Sequence, residues 1–558
     1  MIEPNTSRGA PRILSLLALL AAALLLSWPW IAEMGLPPMA PDTGLWIQRG
    51  DPSNPDWKEW VFGTRHFHVG FRPLTALSFS AGAWLRDSSP FVVRGTDVAF
   101  HLGGALLLFL FLRRSLHGQR GSNLGALAGF GFFLLHPVVE EIVPFSARRS
   151  YSLATFLACA GLVVASVRSS GTWGAALRGV LSGMLLALGL LANEVAATAI
   201  LFLPILLCLL EWRGAGFGKG IVHALPRLVI PALIVAGVLF LRWRVVGGLG
   251  GYQIDGSAEQ RLLPILQSLL SDTSGLGFVG HGPETLGLVW AALLLLGLLG
   301  AGHAMQRFGP GWSMASLAAG LWLGTSGLLL VTQGVWFPRM AHALLPAIAL
   351  ALACCVQAGV VGRGPGRALA ASASLLIIGC SLYTSPIWRG PDPERTGSWA
   401  LRRSLINSLQ EISELEDGSR VLCVLPFSQG EASSLKGKSA RKKLPRSARQ
   451  PYIWMKYRLR DRDLDLSEFL YIEEQDLEWN NPVELASNAK RPSVRIPLER
   501  EVVTVLRQTP KLRKKKRGEL EAIPASTRPG APGPDWLFLY SAEGGSLERI
   551  PQRDVTVK

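Results

Sequence analysis

The chain has 558 residues, of which 49% are hydrophobic, and carries a formal net charge of +16. Its mean hydropathy of +0.30 is high for a soluble protein. Before about residue 385, its apolar residues form runs long enough to cross a membrane, since a core of about 30 Å takes roughly 20 helical residues. The composition excludes a wholly soluble protein and predicts a polytopic α-helical membrane protein with a soluble C-terminal part.

Charge and cysteine content exclude two further kinds of site. Basic residues beside apolar spans usually set the orientation of a membrane protein. No nucleic-acid recognition motif accompanies the charge, so we expect no nucleic-acid partner. Of the six cysteines only Cys423 lies outside the apolar runs. A disulfide framework and a cysteine zinc site are therefore not expected.

The apolar runs predict eleven transmembrane helices. They lie near residues 12–32, 93–112, 122–139, 151–167, 175–193, 195–211, 227–244, 285–303, 312–331, 341–361 and 367–384. Arg8 and Arg12 precede the first run, which predicts a cytoplasmic N-terminus. Five basic loops then fall on the cytoplasmic side, at Arg113–Arg120, Arg168, Arg213–Lys219, Arg307 and Arg363–Arg367. An odd number of spans in the inner or plasma membrane places the C-terminal part outside the cytoplasm.

Two domains are expected from this pattern. The first is a membrane domain over residues 1–385, whose first outer loop covers residues 33–92. The second is an extracytoplasmic domain over residues 386–558, where no run long enough to span a membrane recurs.

The C-terminal part mixes strand-like and loose segments. RVLCVLPF (420–427) is strand-like and LDLSEFLYIEEQDLEW (464–479) is amphipathic and acidic, so we predict a small α/β or α+β domain. A basic run at 511–521 and a Pro/Gly-rich run at 523–535 are typical of loose segments. The basic run is interpreted as a solvated surface loop, with contact to an anionic glycan or lipid head group as the alternative.

Ionisable residues collect at the span ends that this topology places outside. They are Asp42, Asp51, Asp56, Glu59, His66, His68 and Arg72 in the first loop, and His136, Glu141, Arg148, Glu194, Arg242, Arg244, Arg339 and His342 at later turns. A charge at membrane depth costs a few kcal/mol and usually faces a cavity or a partner. For any single arginine, reaching to the interface or pairing with a nearby glutamate explains the residue as well as a functional site does. Because the cytoplasmic span ends show almost no acidic groups, the whole pattern indicates one outward-facing site for an anion.

Motifs in this part of the chain resemble those of a known family. HPVVEEIVPFSARRSYSLATFLA (136–158) is similar to the pattern HP-x-x-x-E-x-V followed by Arg, with Glu141 and Arg148 on the motif. FRPLTALSFSAGAWL (71–85) is similar to a YRPL…SF segment, and His101 follows where an H-x-x-N element is expected, with Gly104 replacing Asn. The family is the transmembrane, TPR-associated O-mannosyltransferase group with its bacterial relatives, which are glycosyltransferases of the GT-C fold.

Three later segments resemble the same family in the same order. LGLLANEVAATAILFLP (188–204) has Asn193 in place of Lys, LFLRWRVVGGLGGY (239–252) puts Arg244 on the motif, and FPRMAHALLP (337–346) is a looser match. The resemblance covers roughly residues 12–385, and the C-terminal part shows no TPR-like 34-residue period.

The resemblance implies an enzyme that moves a sugar from a polyprenyl-phosphate carrier to an acceptor hydroxyl on the outer face. In this family an acidic residue just after the first span acts as the base. Asp42 stands at that place here, with Asp51 in reserve, and the family's Asp-Asp pair is absent. The implied partners are a polyprenyl-phosphate-linked sugar, membrane lipid, and an acceptor on a protein, lipid or glycan.

Inverting transfer needs a carboxylate that accepts the hydroxyl proton and cations that stabilise the leaving phosphate. Arg148, Arg244 and Arg339 are assigned to the phosphate, because arginine binds phosphate through two hydrogen bonds and stays charged. A second set of residues completes the expected donor site: Glu141, Glu194, His136 and Arg72. Glu141 is expected to hold Arg148 or His136, and Glu194 to orient a loop or bind a sugar. His136 either contacts phosphate or sugar, or packs at a proline-capped span end.

Two alternatives remain open at this stage. The first is a non-enzymatic flippase of lipid-linked glycans, or an assembly scaffold. The second is a polymerase or ligase of surface polysaccharide. His66 and His68 are weak candidates for a divalent metal ion, because two ligands are too few without a carboxylate partner.

Overall fold

A computed structural model provides the architecture. It describes residues 10–32, 34, 46–47, 50–62, 71–84, 90–116, 121–167, 172–215, 217–246, 259–279, 284–308, 310–331 and 337–389, and ten strands between residues 420 and 557. The chain divides into two compact units, Met1–Met34 with Arg49–Gly390, and Gly35–Gln48 with Pro391–Lys558.

The first unit is helical. Its α-helices are α1 (Ala10–Leu26), α2 (Trp28–Ala32), α3 (Trp57–Phe62), α4 (Pro73–Trp84), α5 (Pro90–Ser115), α6 (Ser122–Leu135), α7 (Arg149–Ala165), α8 (Thr172–Ala192), α9 (Ala197–Ala215), α10 (Phe217–Val246), α11 (Glu259–Ser274), α12 (Glu284–Met305), α13 (Pro310–Val331), α14 (Leu345–Val361), α15 (Gly364–Thr384) and α16 (Pro386–Arg389). Short 3-10 helices cover Pro137–Glu141, Ser146–Arg148, Glu194–Ala196, Leu276–Val279, Gln306–Phe308 and Pro338–Leu344.

Within the described residues, eight helices are long and apolar enough to cross a membrane. They are α5, α8, α9, α10, α12, α13, α14 and α15, with a 3-10 turn extending α9 and α14 at their starts. The other three expected spans coincide with shorter helices, since α1 and α7 have 17 residues each and α6 has 14. The chain is thus an integral membrane protein, and the count of eleven spans stays a prediction.

The first outer loop is more ordered than its polarity predicts. Two helices, α3 and α4, lie in it, and α5 begins at Pro90, before the expected start at residue 93. Pro73 opens α4, and the Thr75 hydroxyl donates to the carbonyl of Ala192 at 2.9 Å. A 12-residue helix is marginal by itself. The contact with the end of α8 stabilises α4, and the hydropathy pattern does not show this contact.

Small residues set the closest helix contacts. A Cβ placed on Gly125 or Gly129 of α6 would lie 2.6 or 2.7 Å from the carbonyl oxygens of Ala353 and Ala349 on α14. The two backbones are therefore nearly in contact. In lipid, where hydrocarbon surrounds every helix, such close packing of small residues replaces the hydrophobic effect as the main source of association.

The second unit contains two sheets. The six-stranded sheet has the order β6-β5-β2-β1-β8-β9, and the four-stranded sheet has the order β10-β3-β4-β7. The strands are β1 (Arg420–Phe427), β2 (Asp465–Ile472), β3 (Val483–Ala486), β4 (Ser493–Pro497), β5 (Thr504–Leu506), β6 (Arg513–Lys514), β7 (Glu519–Ala522), β8 (Trp536–Ser541), β9 (Ser546–Ile550) and β10 (Val555–Val557). Strand β1 is central and runs parallel to β2 and β8.

The strand expected at 420–427 is present, and the acidic segment begins as β2. The basic run at 511–521 is not wholly loose, because β6 and the start of β7 lie in it. Pairing of β7 with β4 and of β6 with β5 outweighs the local charge pattern there. The α/β or α+β class of this unit stays a prediction.

Candidate functional site

Three short turns meet at one end of the helical unit. The turns Pro137–Glu141 and Glu194–Ala196 both contact the turn Pro338–Leu344. His136 and Asn193 open the first two turns in extended conformation, and each side chain accepts a hydrogen bond from the backbone N–H two residues later. His136 and Asn193 thus cap the turns that follow them. Contacts with the Pro338–Leu344 turn bring the three sequence segments together.

Glu194 lies between two arginines at this end. Nε and Nη2 of Arg72 both donate to Oε2 of Glu194, at 3.2 and 2.8 Å. Arg242 of α10 forms an ion pair with Oε1 and is itself buried. Both carboxylate oxygens are therefore engaged, and one side chain joins the start of α4, the start of α9 and the end of α10.

Arg244 does not take the place that the motif assigns to it. Its side chain is exposed on α10, whereas Arg242 contacts Glu194. Residues two apart on an α-helix point about 200° apart, so only one of the two can face the turn. Arg242 therefore belongs to the group of charges around Glu194, and Arg244 lies on the exposed face of α10.

Arg148 and Glu141 form a second ion pair. Nη1 of Arg148 donates to the Glu141 carboxylate and, at 2.6 Å, to the Glu141 carbonyl, and its guanidinium lies 4.4 Å from the Phe145 ring centre. Burial lowers the pKa of Arg148, the Glu141 carboxylate raises it, and the nearby Arg339 guanidinium lowers it. Of the two partners expected for Glu141, the structure shows Arg148.

Arg339 is the cation without a balancing carboxylate. Its guanidinium lies over the Phe337 ring at 4.1 Å and close enough to Arg148 for the two charges to repel. Among the described residues it forms no ion pair. Arg148 and Arg339 thus lie close together, and of the two only Arg148 is paired with a carboxylate in the described part of the chain.

A further ion pair is almost fully buried among the helices. Asp97 on α5 accepts from Nε of Arg149 on α7 at 2.5 Å and from the Ser146 hydroxyl. Arg149 also donates to the carbonyl of Val93 at 2.7 Å and packs 3.9 Å over the Phe79 ring of α4. This fully engaged pair ties α4, α5 and α7 together, which is a structural role.

His136 is a capping residue. Its Nδ1 accepts from the Val138 N–H at 3.2 Å, and its Nε2 lies 3.0 Å from the Thr273 carbonyl. These contacts assign the neutral tautomer with the proton on Nε2. The ring is fully buried, so both nitrogens are engaged within the protein, and the packing interpretation of His136 is favoured over phosphate contact.

Of the carboxylates proposed as the base, only Asp51 lies in the described residues. Its Oδ1 accepts from the backbone N–H and the hydroxyl of Ser53 at 2.9 and 2.8 Å, and its side chain is buried. These hydrogen bonds indicate that Asp51 stabilises the turn that contains Ser53. Asp42, His66 and His68 lie outside the described residues.

His101, at the H-x-x-N element, lies in an aromatic cluster. Its ring stacks on Phe133 at 5.1 Å and lies 6.1 Å from the ring of His342. Gly104 lies against the backbone of Phe156, with 3.6 Å between a Cβ placed there and the Phe156 Cα. A Cβ there would be in ordinary van der Waals contact with α7, so α5 and α7 pack closely at this position.

No group of three or more His, Cys, Asp or Glu side chains in the described part of the chain is arranged to hold a metal ion.

The sequence analysis assigned no role to Asp97 or Arg149 and did not predict the contact of Arg242 with Glu194. A signal was present for Asp97 and Arg149, since each is a charge at the edge of an apolar run and such charges usually have a partner. Which partner each one takes depends on helix packing, and no local pattern shows it.

The arrangement defines a polytopic helical membrane protein with an arginine-rich cluster of turns at one end. No protein-family model matches the chain, and no curated protein matches it either. Among solved structures it is similar to ArnT from Cupriavidus metallidurans in the apo state, with 14% identity, TM-score 0.42, and coverage of 83% of this chain and 94% of that chain. ArnT bound to undecaprenyl phosphate gives 11% identity, TM-score 0.43, and coverage of 83% and 95%.

The archaeal oligosaccharyltransferase AglB from Archaeoglobus fulgidus, in complex with an inhibitory peptide and a dolichol-phosphate, is also similar. It shows 12% identity, TM-score 0.36, and coverage of 82% of this chain and 69% of that chain.

Proposed function

We propose that the chain is a membrane glycosyltransferase that moves a sugar from a polyprenyl-phosphate carrier to an acceptor hydroxyl on the outer face of the membrane. The observation that carries the proposal is Arg339, a partly buried guanidinium beside Arg148 with no carboxylate partner among the described residues. Repulsion between the two is relieved when an anion joins them, and arginine binds phosphate oxygens in pairs.

The leaving group of the reaction is a lipid phosphate, whose negative charge grows as the sugar departs. Arg148 and Arg339 would stabilise that charge without needing to change protonation state, since arginine stays protonated at any working pH. Glu141 holds the Arg148 guanidinium through two contacts. It therefore positions that cation and is not itself the base.

Glu194 is a positioning residue in this proposal. Because it binds Arg72 and Arg242 together, it holds the start of α4 and the end of α10 at the same turn. The start of α4 lies in the first loop, which carries the proposed base. Loss of Glu194 would leave two arginines repelling each other and would separate these segments.

The proposed base is Asp42, which follows the first span where the resembling family has its acid. The base accepts the proton of the acceptor hydroxyl while the sugar bond to phosphate breaks. The hydrogen bonds from Ser53 to Asp51 favour a turn-forming role for Asp51. The N-terminus is proposed to lie in the cytoplasm and the second unit outside it.

A transfer assay tests the proposal. The purified full chain is incubated with a panel of radiolabelled polyprenyl-phosphate sugars and extracted membrane acceptors, and labelled product is measured. Arg339→Ala should lower kcat/KM by about 10²-fold, the scale seen when one group that stabilises developing charge is removed. The matched control is Arg113→Gln, which removes an exposed arginine in the last turn of α5 and should stay within twofold of the parent.

Two results would overturn the proposal. One is the absence of turnover with every donor together with lipid flipping that needs no donor, which would indicate a flippase. The other is equal loss of transfer in Arg339→Ala and Arg113→Gln, which would show that general surface charge, and not this turn, is responsible.

A further inference from the structure

Helix α11 connects two helices that are able to span a membrane, but it is too short to span one itself. It follows α10, which ends at Val246, and precedes α12, which begins at Glu284. With 16 residues it is about 24 Å long at about 1.5 Å per residue, which is less than the roughly 30 Å of a hydrocarbon core. Leucines and polar residues alternate along its sequence, EQRLLPILQSLLSDTS. A helix of this length and composition between two spans lies beside the membrane and does not cross it.

One side of α11 packs on the rest of the helical unit. Ile265 and Leu269 are buried, with 7% and 6% of their surface exposed. Near its C-terminal end the backbone of α11 lies against Gly287 of α12, where an added Cβ would be 2.9 Å from the Ser271 nitrogen and 3.0 Å from the Leu270 carbonyl carbon. These contacts fix the rotation of α11 about its axis, so its remaining surface has a defined direction.

The remaining surface divides into an apolar flank and a polar flank. The apolar flank consists of three residues within about 60° of one another around the helix, namely Leu263, Leu266 and Leu270. The polar flank lies on the other side of the buried residues and spans about 100°, with Gln267, Ser268 and Ser271. Leu263 is 62% exposed and Leu266 is 40% exposed, and Ser268 is exposed as well. The helix therefore meets the protein, an apolar medium and a polar medium on three different sides.

The depth of α11 follows from its contact with α12. The apolar window of α12 that could cross a membrane begins at Leu286, so Gly287 lies at the very start of that span. Leu286 and Leu288, on either side of this glycine, are exposed, and so is Val289. Side chains exposed on a spanning helix face lipid. The apolar flank of α11 thus lies at the level where α12 enters the hydrocarbon, beside exposed apolar residues of that helix.

We propose that α11 is an interfacial helix, whose Leu263 and Leu266 insert among the lipids of the adjacent leaflet while Ser268 faces water. Helices with one apolar and one polar side lie in the plane of the membrane interface, with the apolar side among the acyl chains. Insertion removes the two leucines from water, and the polar flank keeps its hydrogen bonds to water. The proposal concerns α11 alone and does not depend on sugar transfer.

The same helix is attached to the turns of the candidate site. Nε2 of His136 donates to the Thr273 carbonyl at 3.0 Å, and α11 contacts the Pro338–Leu344 turn, which carries Arg339. A helix held at the interface by its leucines therefore holds this turn close to the depth of lipid head groups.

The water accessibility of single cysteine variants tests the proposal. The full chain, with its own cysteines in place, is reconstituted in phosphatidylcholine nanodiscs, where both membrane surfaces are open to a water-soluble maleimide. Labelling of the parent is subtracted. Leu263→Cys and Leu266→Cys should react about tenfold more slowly than the matched control Ser268→Cys, because a thiol in apolar surroundings forms less of the reactive thiolate. Equal labelling rates for Leu266→Cys and Ser268→Cys would overturn the proposal.

Photo-crosslinking identifies what covers the leucines, and it serves if the cysteine variants do not fold. The crosslinking residue p-benzoylphenylalanine replaces Leu263 or, as the control, Ser268, in the full chain in phosphatidylcholine vesicles. After illumination, mass spectrometry should show one added phosphatidylcholine for the Leu263 replacement and none for the Ser268 replacement. An adduct between two chains at Leu263 would show that a second copy covers this face and would contradict the proposal. A folded Leu263 replacement without a lipid adduct would contradict it too.

Discussion

Arg149 and Asp97 form an ion pair inside the helical unit, with 2.5 Å between Nε and Oδ1 and side chains that are 2% and 1% exposed. Neither charge has access to bulk water, so Arg149 depends on Asp97, which also interacts with the buried Arg94. Breaking such a pair by removing one partner typically costs about 3–5 kcal/mol, because the remaining charge stays buried.

Asp97→Asn should therefore lower the thermal unfolding temperature of the detergent-solubilised protein strongly. The neutral amide leaves the Arg149 guanidinium uncompensated among α4, α5 and α7. The double variant Asp97→Leu with Arg149→Leu should recover only a small part of the loss, because buried Arg94, which also interacts with Asp97, keeps its charge. A single variant as stable as the parent would show that the pair is not needed for the fold.

Gly129 and Gly131 offer a matched test of helix packing in α6. A Cβ on Gly129 would lie 2.7 Å from the Ala349 carbonyl oxygen and 2.6 Å from a Leu112 methyl carbon, whereas Gly131 has nothing within 4 Å. Gly129→Ala should destabilise by about 1–3 kcal/mol through overpacking. Gly131→Ala should be neutral or slightly stabilising, because alanine is the better helix former. Similar unfolding temperatures for the two variants would contradict the close contact of α6 with α14.

Variants of Arg242 and Arg244 test whether the arginine that contacts Glu194 or the arginine on the sequence motif matters for transfer. Arg242→Gln leaves the Glu194 carboxylate with Arg72 alone, so we expect transfer to fall about 10-fold through misplacement of the turn. Arg244→Gln changes an exposed side chain on the same helix and should stay within twofold. Steady-state kinetics on both variants check this. The reverse order of effects would restore Arg244 to the donor site.

The two first-loop carboxylates should differ in the kind of defect they produce. Asp42→Asn should keep the fold and donor binding but lower the transfer step at least about 10²-fold, the usual scale of lost general-base assistance. Asp51→Ala should instead cost about 1–2 kcal/mol of stability, because the Ser53 N–H and hydroxyl lose their acceptor. Single-turnover rates and unfolding temperatures distinguish the two. Full activity of Asp42→Asn with a folded but inactive Asp51→Ala would make Asp51 the base.

Much of the first unit follows from its sequence. Each apolar run became a helix, because a run of about 20 hydrocarbon side chains satisfies its backbone hydrogen bonds internally and is stable in lipid. The motif segments fall at helix ends for an equally local reason. His136 and Asn193 cap the turns that follow them, with Pro137 directly after His136.

The partners of the charged residues were decided by the tertiary structure. Arg72 and Glu194 are 122 residues apart, and Asp97 and Arg149 are 52 apart. Hydropathy and spacing describe neighbours along the chain, so they located these charges at span ends but did not show which pairs would form. Those pairs and the choice of Arg242 over Arg244 depend on the rotation and contact of separate helices, which long-range packing alone sets.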